Sequence, residues 1–268
     1  MLAFLLLLTF SLEVEVSKYD VTIFQDAKGH TYAQVSSLLL ARHLKVPLGA
    51  IIASTKEGLS CAQVIQKGIE ALKGAPGGYA KWIKGCGNVL IKRGVYDLGK
   101  EGLQIPWMAH LVIEGEGWDT NFPERWKAIS PRACPATYLV YRGSGKAISH
   151  AEKYCPATFI EFRNLTIVLY SGAEYGLFIP THCEIRLDKI AVLTKMPSGT
   201  GIHAASPAGN VCYFTNLFVV GPFEVALDSP NDWNTIVNFV AMGFRGVGLK
   251  FSGSNPVIGG LLKGGGQR

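Results

Sequence analysis

Apolar and polar residues alternate in short runs along the second half of the chain, and each run meets a turn residue and then a second apolar run. Alternation with a period of two predicts strands with one buried face. The repetition of this pattern predicts a repeat protein rather than a set of unrelated strands. The segments are YLVYRGSG, IEFRNLTIV, IRLDKIAVL, YFTNLFVVG and TIVNFVAMG.

One position in these segments favours residues that tolerate a left-handed backbone. Glycine and asparagine adopt that conformation at the least cost. A strand, a left-handed residue and a second strand together form one corner of a coil. The predicted turn column, at intervals of 21 to 27 residues, is Gly143, Asn164, Lys189, Asn216 and Asn238.

A second strand of each coil begins at a second column of positions. These positions are Gly176, Gly201, Val225 and Gly248. Two strands and two turns per repeat predict a parallel β-helix, which is a solenoid. A propeller blade would need roughly 40 residues. The predicted fold class is therefore all-β.

The amino-terminal half contains a predicted helix. Ser60 can cap it, Gly74 can end it, and Val64, Ile65, Ile69 and Leu72 lie on one face. Such a helix covers the open end of a β-helix core, whose strand edges would otherwise aggregate. Further strands follow it, with a long excursion over residues 118–131.

The sequence Cys-Pro-Ala-Thr occurs twice, starting at Cys134 and at Cys155. A 21-residue repeat would place the two copies at equivalent positions in successive coils. The two cysteines would then lie within the Cα separation of a disulfide, about 4.4–6.8 Å. A disulfide and two free thiols both stay open, and in-register strands favour the free thiols.

Composition divides the chain into four parts. Residues 1–18 form an apolar leader, too short to span a bilayer as a helix, for which an export signal and a buried strand are the alternatives. Residues 19–58 form an extension, residues 59–256 hold the helix and the coils, and residues 257–268 form a Gly-rich tail. We expect a secreted protein, outside the cell or on its surface. An uncapped last coil would favour a homo-oligomer or a chain truncated before further coils.

Charge and cysteine content narrow the choice of partner. The formal net charge of +6 favours anionic partners such as acidic polysaccharide, nucleic acid or lipid headgroups without selecting among them. The basic residues are scattered, which disfavours nucleic acid, and a polysaccharide or another glycan is the expected partner. The six cysteines show no metal-binding spacing, so no cofactor is certain. No membrane span is expected beyond the leader.

Three amino-terminal segments carry a family resemblance. VIQKGIEALKG, GNVLIKRGVYDLGKEGLQIP and HLVIEGEGWDTNF resemble the start of the pectate lyase-like superfamily of right-handed parallel β-helix proteins, the pectin lyase fold. This group includes polysaccharide lyases, glycoside hydrolases and phage tailspikes. The resemblance covers residues 50–260 and implies a right-handed parallel β-helix with a short amino-terminal capping helix. It says less about activity, because the fold also hosts non-enzymes. The matching motifs are Gly94-Val95-Tyr96, Ile105-Pro106 and Gly115-Glu116-Gly117.

The enzymes of this group imply two kinds of site. Lyases need a base, often Arg or Lys, and often Ca²⁺ to neutralise the substrate carboxylate, whereas hydrolases need carboxylates about 5–10 Å apart. No catalytic motif of the family matches, and no two acidic residues after Cys134 fall at one position in adjacent coils. Ca²⁺ is therefore expected only if the protein is a lyase.

An ionic patch is predicted on the strands before the turn column. The repeat places Arg186 beside Glu161, and it places Asp188 beside Arg163. Cross-strand ion pairs worth at most ~1 kcal/mol each are the structural interpretation, and a sugar-binding groove is the functional one. In the functional hypothesis the catalytic residues are Arg186 and Asp188, and the substrate-binding residues are Arg142, Glu161, Arg163 and Tyr213.

Two functions stay open at this stage. The first is a carbohydrate-active protein, a lyase or hydrolase of acidic polysaccharide, and the second is a non-catalytic adhesin or viral tail-fibre-type module. The missing carboxylate clusters favour binding over cleavage, and His203 is interpreted as a surface or packing histidine rather than a general base. An apolar stripe on an outer face, which predicts a covering loop or subunit, consists of Ala191, Phe218 and Val240.

Overall fold

The computed structural model describes most of the chain in eight segments. They are residues 17–74, 85–121, 133–150, 159–181, 184–205, 211–231, 233–252 and 257–265. Residues 1–16 of the expected leader and the cysteines at positions 155 and 183 lie outside these segments.

The amino-terminal extension is part of the solenoid rather than a separate unit. Strand β1 pairs antiparallel with β2 and parallel with β4, so the extension continues the first sheet of the coils. Helix α2 starts at the capping box formed by Ser60 and Gln63. Its predicted apolar face is fully buried, which confirms the capping helix. The elements are β1 (Val21–Gln25), β2 (Thr31–Val35), α1 (Leu38–Leu44), β3 (Ile51–Ser54) and α2 (Cys61–Glu70).

The rest of the described chain forms a parallel β-solenoid of about six turns, as the repeat predicted. The first two coils contain β4 (Cys86–Ile91), β5 (Gly94–Asp97), β6 (Leu103–Ile105), β7 (His110–Gly115), β8 (Thr137–Tyr141) and β9 (Lys146–His150). The next two contain β10 (Phe159–Leu169), β11 (Tyr175–Ile179), β12 (Glu184–Thr194) and β13 (Ser198–Ala204). The last strands are β14 (Val211–Val220), β15 (Phe223–Ser229), β16 (Trp233–Met242), β17 (Val247–Phe251) and β18 (Val257–Lys263).

Two sheets enclose the core. The first has the order β3-β2-β1-β4-β7-β10-β12-β14-β16-β18, with β8 also beside β10 and β5 beside β8, and the second has the order β6-β9-β11-β13-β15-β17. Inward side chains stack in rows across the coils, such as Phe162, Leu187, Phe214 and Ile236, all nearly inaccessible. Burying each of these side chains contributes roughly 1.5–3 kcal/mol.

A left-handed residue breaks each long strand of the first sheet into two halves. Asn164, Lys189, Asn216 and Asn238 have φ of 57°, 53°, 53° and 55°, as the turn column predicted. The expected amide ladder is partial. The Asn238 side chain donates to Asn216 Oδ1 at 3.2 Å, whereas Asn216 donates to the Asp188 carboxylate, because Lys189 interrupts the column.

The prediction was wrong for Gly143 and for the two Cys-Pro-Ala-Thr segments. Asn164 follows Arg163, whose register partner is Glu114, so its counterpart in the previous coil is Gly115. Tyr138 pairs with Thr166, which is in the second half of β10. The cause is the long excursion, which leaves the coil after β7 and re-enters it at β8. The residues that follow the two segments are therefore not equivalent, and Gly143 lies at a different corner. Cys134 is a buried free thiol, whereas the second Cys-Pro-Ala-Thr segment itself lies outside the described residues.

Two smaller predictions also need correction. The second turn column aligns Gly201 with Ala226 rather than with Val225, because Ile202 pairs with Leu227. The predicted tail is not separate from the coils, since β18 pairs in parallel with β16. Backbone hydrogen bonding to the previous coil accounts for this order despite the high glycine content.

The apolar stripe on the outer face is partly covered by the excursion. Ala191 is inaccessible, and the Trp118 ring lies 6.3 Å from the Phe218 ring in an edge-on contact. The Asp119 backbone exchanges two hydrogen bonds with the Thr166 hydroxyl. A loop of the same chain therefore covers this face, which was one of the predicted alternatives.

Replacing Lys189 by Asn should stabilise the protein. Lysine has no special tolerance for a φ of 53°, and its exposed side chain has no hydrogen bond or ion pair with the described residues that the change would remove. We expect Lys189→Asn to raise the free energy of unfolding by about 0.5–1 kcal/mol, measured by chemical denaturation.

The reciprocal change, Asn216→Lys, is the matched control. It should lower the free energy of unfolding by about 1–2 kcal/mol, because it removes the hydrogen bonds to Asp188 and Asn238 and adds strain. Equal stability of both variants and the wild type would contradict this account of the corner.

Candidate functional site

The candidate site is the outer surface of the first sheet before the left-handed corner, here called the ionic–aromatic face. Its outward side chains alternate with buried ones on each strand, as on any half-buried sheet. Ile160 and Phe162 of β10 face the core, whereas Glu161 between them faces outward. The face consists of His110, Glu114, Phe159, Glu161, Arg163, Glu184, Arg186, Asp188, Tyr213, Thr215 and Trp233.

The backbone register of the ionic patch matches the sequence prediction. Glu161 pairs with Arg186, and Arg186 pairs with Tyr213. Arg163 pairs with Asp188 in the same two strands. Five of the six predicted site residues therefore lie together on one surface.

The ion pairs differ from the predicted cross-strand pairs. Arg186 binds Glu184 of its own strand, with nitrogen–oxygen distances of 2.7 and 2.9 Å. Arg163 binds Glu114 of the previous coil at 2.7 and 2.9 Å, and reaches Glu161 only at 3.4 Å. Arg186 thus bonds within its own strand, whereas Arg163 bonds to the carboxylate directly opposite it in the previous coil rather than to Asp188 in the next one.

Aromatic rings flank the Arg186 guanidinium. Its central carbon lies 5.2 Å from the Phe159 ring centre and 5.4 Å from that of Tyr213. On the other side of Phe159, the His110 ring stacks at 4.5 Å. Burial lowers the pKa of His110, so its imidazole is neutral at neutral pH. Tyr213 is 41% exposed and Trp233 65% exposed, which leaves two large rings facing solvent.

Glu114 is a structural anchor rather than a free acid. Its carboxylate accepts the Tyr19 hydroxyl at 2.7 Å, binds Arg163, and lies 3.5 Å from the Lys18 ammonium. Burial alone would raise the pKa of Glu114, but the Tyr19 hydrogen bond and the two positive charges outweigh it, so this pKa lies below its ordinary value. Glu114 therefore fastens the amino-terminal extension to the coils.

Asp188 retains capacity for a ligand. One of its oxygens accepts the Thr215 hydroxyl at 2.6 Å and the Asn216 amide at 2.9 Å. Within the described segments, its second oxygen has no hydrogen-bond partner. A carboxylate held on one side and open on the other can accept a ligand hydroxyl.

Arg142 does not belong to this face. It binds Asp97 at 2.8 Å, at the corner after β8, because the excursion displaces its coil from the assumed 21-residue repeat. The residue that does precede Glu161 in the first sheet is Val112. The prediction for Arg142 was therefore wrong in its placement.

Sequence reasoning missed several members of the face. His110 and Glu114 were missed because the excursion hides their alignment with β10. Trp233 was missed because its partner, Val211, is not chemically distinctive. Among the described residues, no group of three His, Cys, Asp or Glu side chains could hold a metal ion.

Comparison of the chain with protein-family models, with curated proteins and with solved structures found no match in any of the three sets. No helix within the described segments has the length and apolar character needed to cross a membrane.

Replacing Glu114 by Gln tests the anchor. We expect the free energy of unfolding to fall by about 1–3 kcal/mol at neutral pH, because Arg163 and Lys18 lose their carboxylate partner. A lowered pKa in the folded state means that this stabilisation is complete above the ordinary pKa of glutamate and is lost as pH falls through the folded-state value. Chemical denaturation of both proteins, from neutral to acidic pH, should show the difference shrinking.

Glu101→Gln is the control, since Glu101 is exposed and has no ion pair with a described residue. Its effect should be small at every pH. A Glu114→Gln effect that stays constant down to acidic pH would contradict the role of the carboxylate charge.

Proposed function

We propose that the protein is a secreted or surface β-helix protein that binds a polysaccharide along the ionic–aromatic face. The observation that carries this proposal is that the Arg186 guanidinium lies between the rings of Phe159 and Tyr213. Tyr213 and Trp233, which belong to the following coils, are exposed to solvent. Sugar rings stack their C–H faces on aromatic side chains, while their hydroxyls need fixed donors and acceptors at the edges. Rings, guanidinium and carboxylates on one sheet supply both kinds of contact.

The shape of the face favours a polymer over a single sugar. Neighbouring coils are about 4.8 Å apart, so the rows from β10 to β16 extend along the solenoid axis for a length that suits several sugar units. Arg186 is half exposed and keeps donors for a ligand carboxylate. Because the chain is also basic overall, an acidic polysaccharide is the proposed class.

Membership of the pectate lyase-like superfamily is part of this proposal and is supported by the solenoid and by the amino-terminal motifs. Cleavage is a second candidate function, favoured by one observation: Asp188 has an open carboxylate oxygen two residues from Arg186. In a lyase, the Arg186 guanidinium would bind and neutralise the uronate carboxylate, and the open oxygen of Asp188 would accept the proton beside that carboxylate. A non-catalytic adhesin or tail-fibre module would use the same face only for binding.

Binding is tested by affinity electrophoresis in gels containing acidic polysaccharides. Trp233→Ala and Arg186→Ala should each weaken retention about tenfold in apparent Kd, because each removes an exposed contact of the face. Lys67→Ala, on the exposed side of α2, is the control for the loss of one positive charge and should behave like the wild type. Equal retention of all four proteins would refute binding at this face.

Cleavage is tested by the ultraviolet absorbance of unsaturated uronates, with and without Ca²⁺. New absorbance that disappears in an Arg186→Ala/Asp188→Ala double variant would assign a lyase reaction to these residues. Retention in gels without new absorbance or new reducing ends would favour the binding module.

A further inference from the structure

A second line of side chains crosses the outer face of the second sheet, here called the histidine row. It consists of Phe178 on β11, His203 on β13, Asp228 on β15 and Lys250 on β17, each the register partner of the next. None of these residues belongs to the ionic–aromatic face. Each coil therefore contributes one side chain to a row on a different sheet.

His203 is fixed within this row by three contacts. Its Nδ1 lies 2.9 Å from Asp228 Oδ2, and its ring stacks on Phe178 with centres 5.1 Å apart. The Tyr175 ring meets it edge-on at 5.9 Å. The side chains of His203 and Asp228 are only 17% and 15% exposed. These contacts restrict rotation of the imidazole.

The carboxylate determines which nitrogen of His203 can accept a proton. A carboxylate only accepts hydrogen bonds, so Nδ1 carries the hydrogen and Nε2 of the unprotonated ring keeps its lone pair. Among the described residues, no group forms a hydrogen bond with Nε2. The pair thus presents a preoriented acceptor at the surface of the sheet.

A purely structural role does not explain why one oxygen of Asp228 is buried without a hydrogen bond from the described residues. Its Oδ1 atom is buried and has no hydrogen-bond partner in the described segments, and the Lys250 ammonium lies 3.6 Å away. The other histidine–aspartate pair in the described segments, His30 with Asp26, is different, because Asp26 also accepts two backbone N–H groups and the Tyr32 hydroxyl in a tight turn. Asp26 shapes a turn, whereas Asp228 has His203 as its one hydrogen-bonded partner among the described residues.

We propose that His203 and Lys250 form a second ligand site, for a polyhydroxylated ligand such as a sugar. His203 Nε2 accepts a hydrogen bond from one hydroxyl, and the ammonium of Lys250, whose side chain is 63% exposed, donates to a neighbouring oxygen. Asp228 is a positioning residue that holds the imidazole and the ammonium. This site lies on the other sheet and goes beyond the polysaccharide binding proposed above.

The chemistry of the row selects hydroxyls over simple anions. Nε2 needs a hydrogen-bond donor, which a carboxylate cannot supply, whereas a sugar can donate one hydroxyl to Nε2 and offer a neighbouring oxygen to the ammonium. A sugar should therefore bind, and a small carboxylate alone should not.

The test is a titration of the full chain, labelled with nitrogen-15 and followed by the imidazole nitrogen signals in magnetic resonance. The probes are glucose, glucuronate and acetate. The Nε2 signal of His203, identified by its loss in His203→Gln, should shift saturably with both sugars and not with acetate, while the His30 signals stay in place. No saturable shift with either sugar, or an equal shift with acetate, would overturn the proposal.

A variant of Asp228 tests its role as a positioning residue. Asp228→Asn should weaken glucose binding about fivefold and change the His203 nitrogen signals towards a mixture of tautomers. If neither affinity nor signals change, Asp228 is not a positioning residue.

Two further variants separate this site from the ionic–aromatic face. Arg186→Ala should leave the sugar titration of His203 unchanged, and His203→Gln should leave retention by polysaccharide gels unchanged. Loss of both activities in either single variant would contradict two separate sites.

Discussion

The in-register stacking of parallel coils is the constraint on which the rest of the structure depends. Each coil hydrogen-bonds to its neighbours through both sheets, so the chain must turn the corner of the first sheet at the same place every time. A single residue with φ near 55° makes this turn at Asn164, Lys189, Asn216 and Asn238. A slip of one residue would send every following side chain to the opposite face, so the corner also determines which residues form the core and which form the ionic–aromatic face.

The same corner accepts a long insertion without loss of register. Between β7 and β8 the excursion replaces a single left-handed residue, and the strands on either side still pair with the two halves of β10. Loop closure becomes only slowly more costly with length, which allows such an insertion. Trp118 and Asp119 of the excursion then contact the outer face beyond the corner, at Phe218 and Thr166.

Much of the fold could be predicted from the sequence, because strand alternation and left-handed residues are local properties. The spacing from Glu161 to Arg186 to Tyr213 was also predicted correctly, since no insertion interrupts those coils. The two Cys-Pro-Ala-Thr segments misled the prediction, because similar local sequences do not have to occupy equivalent positions. The ion pairs could not be predicted from register alone, because the long Arg186 side chain reaches Glu184 of its own strand and binds it rather than Glu161, its register partner.

The pairing of His203 with Asp228 is a kind of signal that a solenoid sequence contains and that a search for local motifs overlooks. In a solenoid, residues one coil apart in sequence are neighbours in space, so a histidine and an aspartate 25 positions apart can pair as closely as any local motif. Because a packed apolar core lies beneath both sheets, substitutions in the histidine row need not disturb the ionic–aromatic face. A repeat fold can therefore hold two independent sites within the same coils, and polar pairs at the coil spacing are the pattern by which such sites can be found.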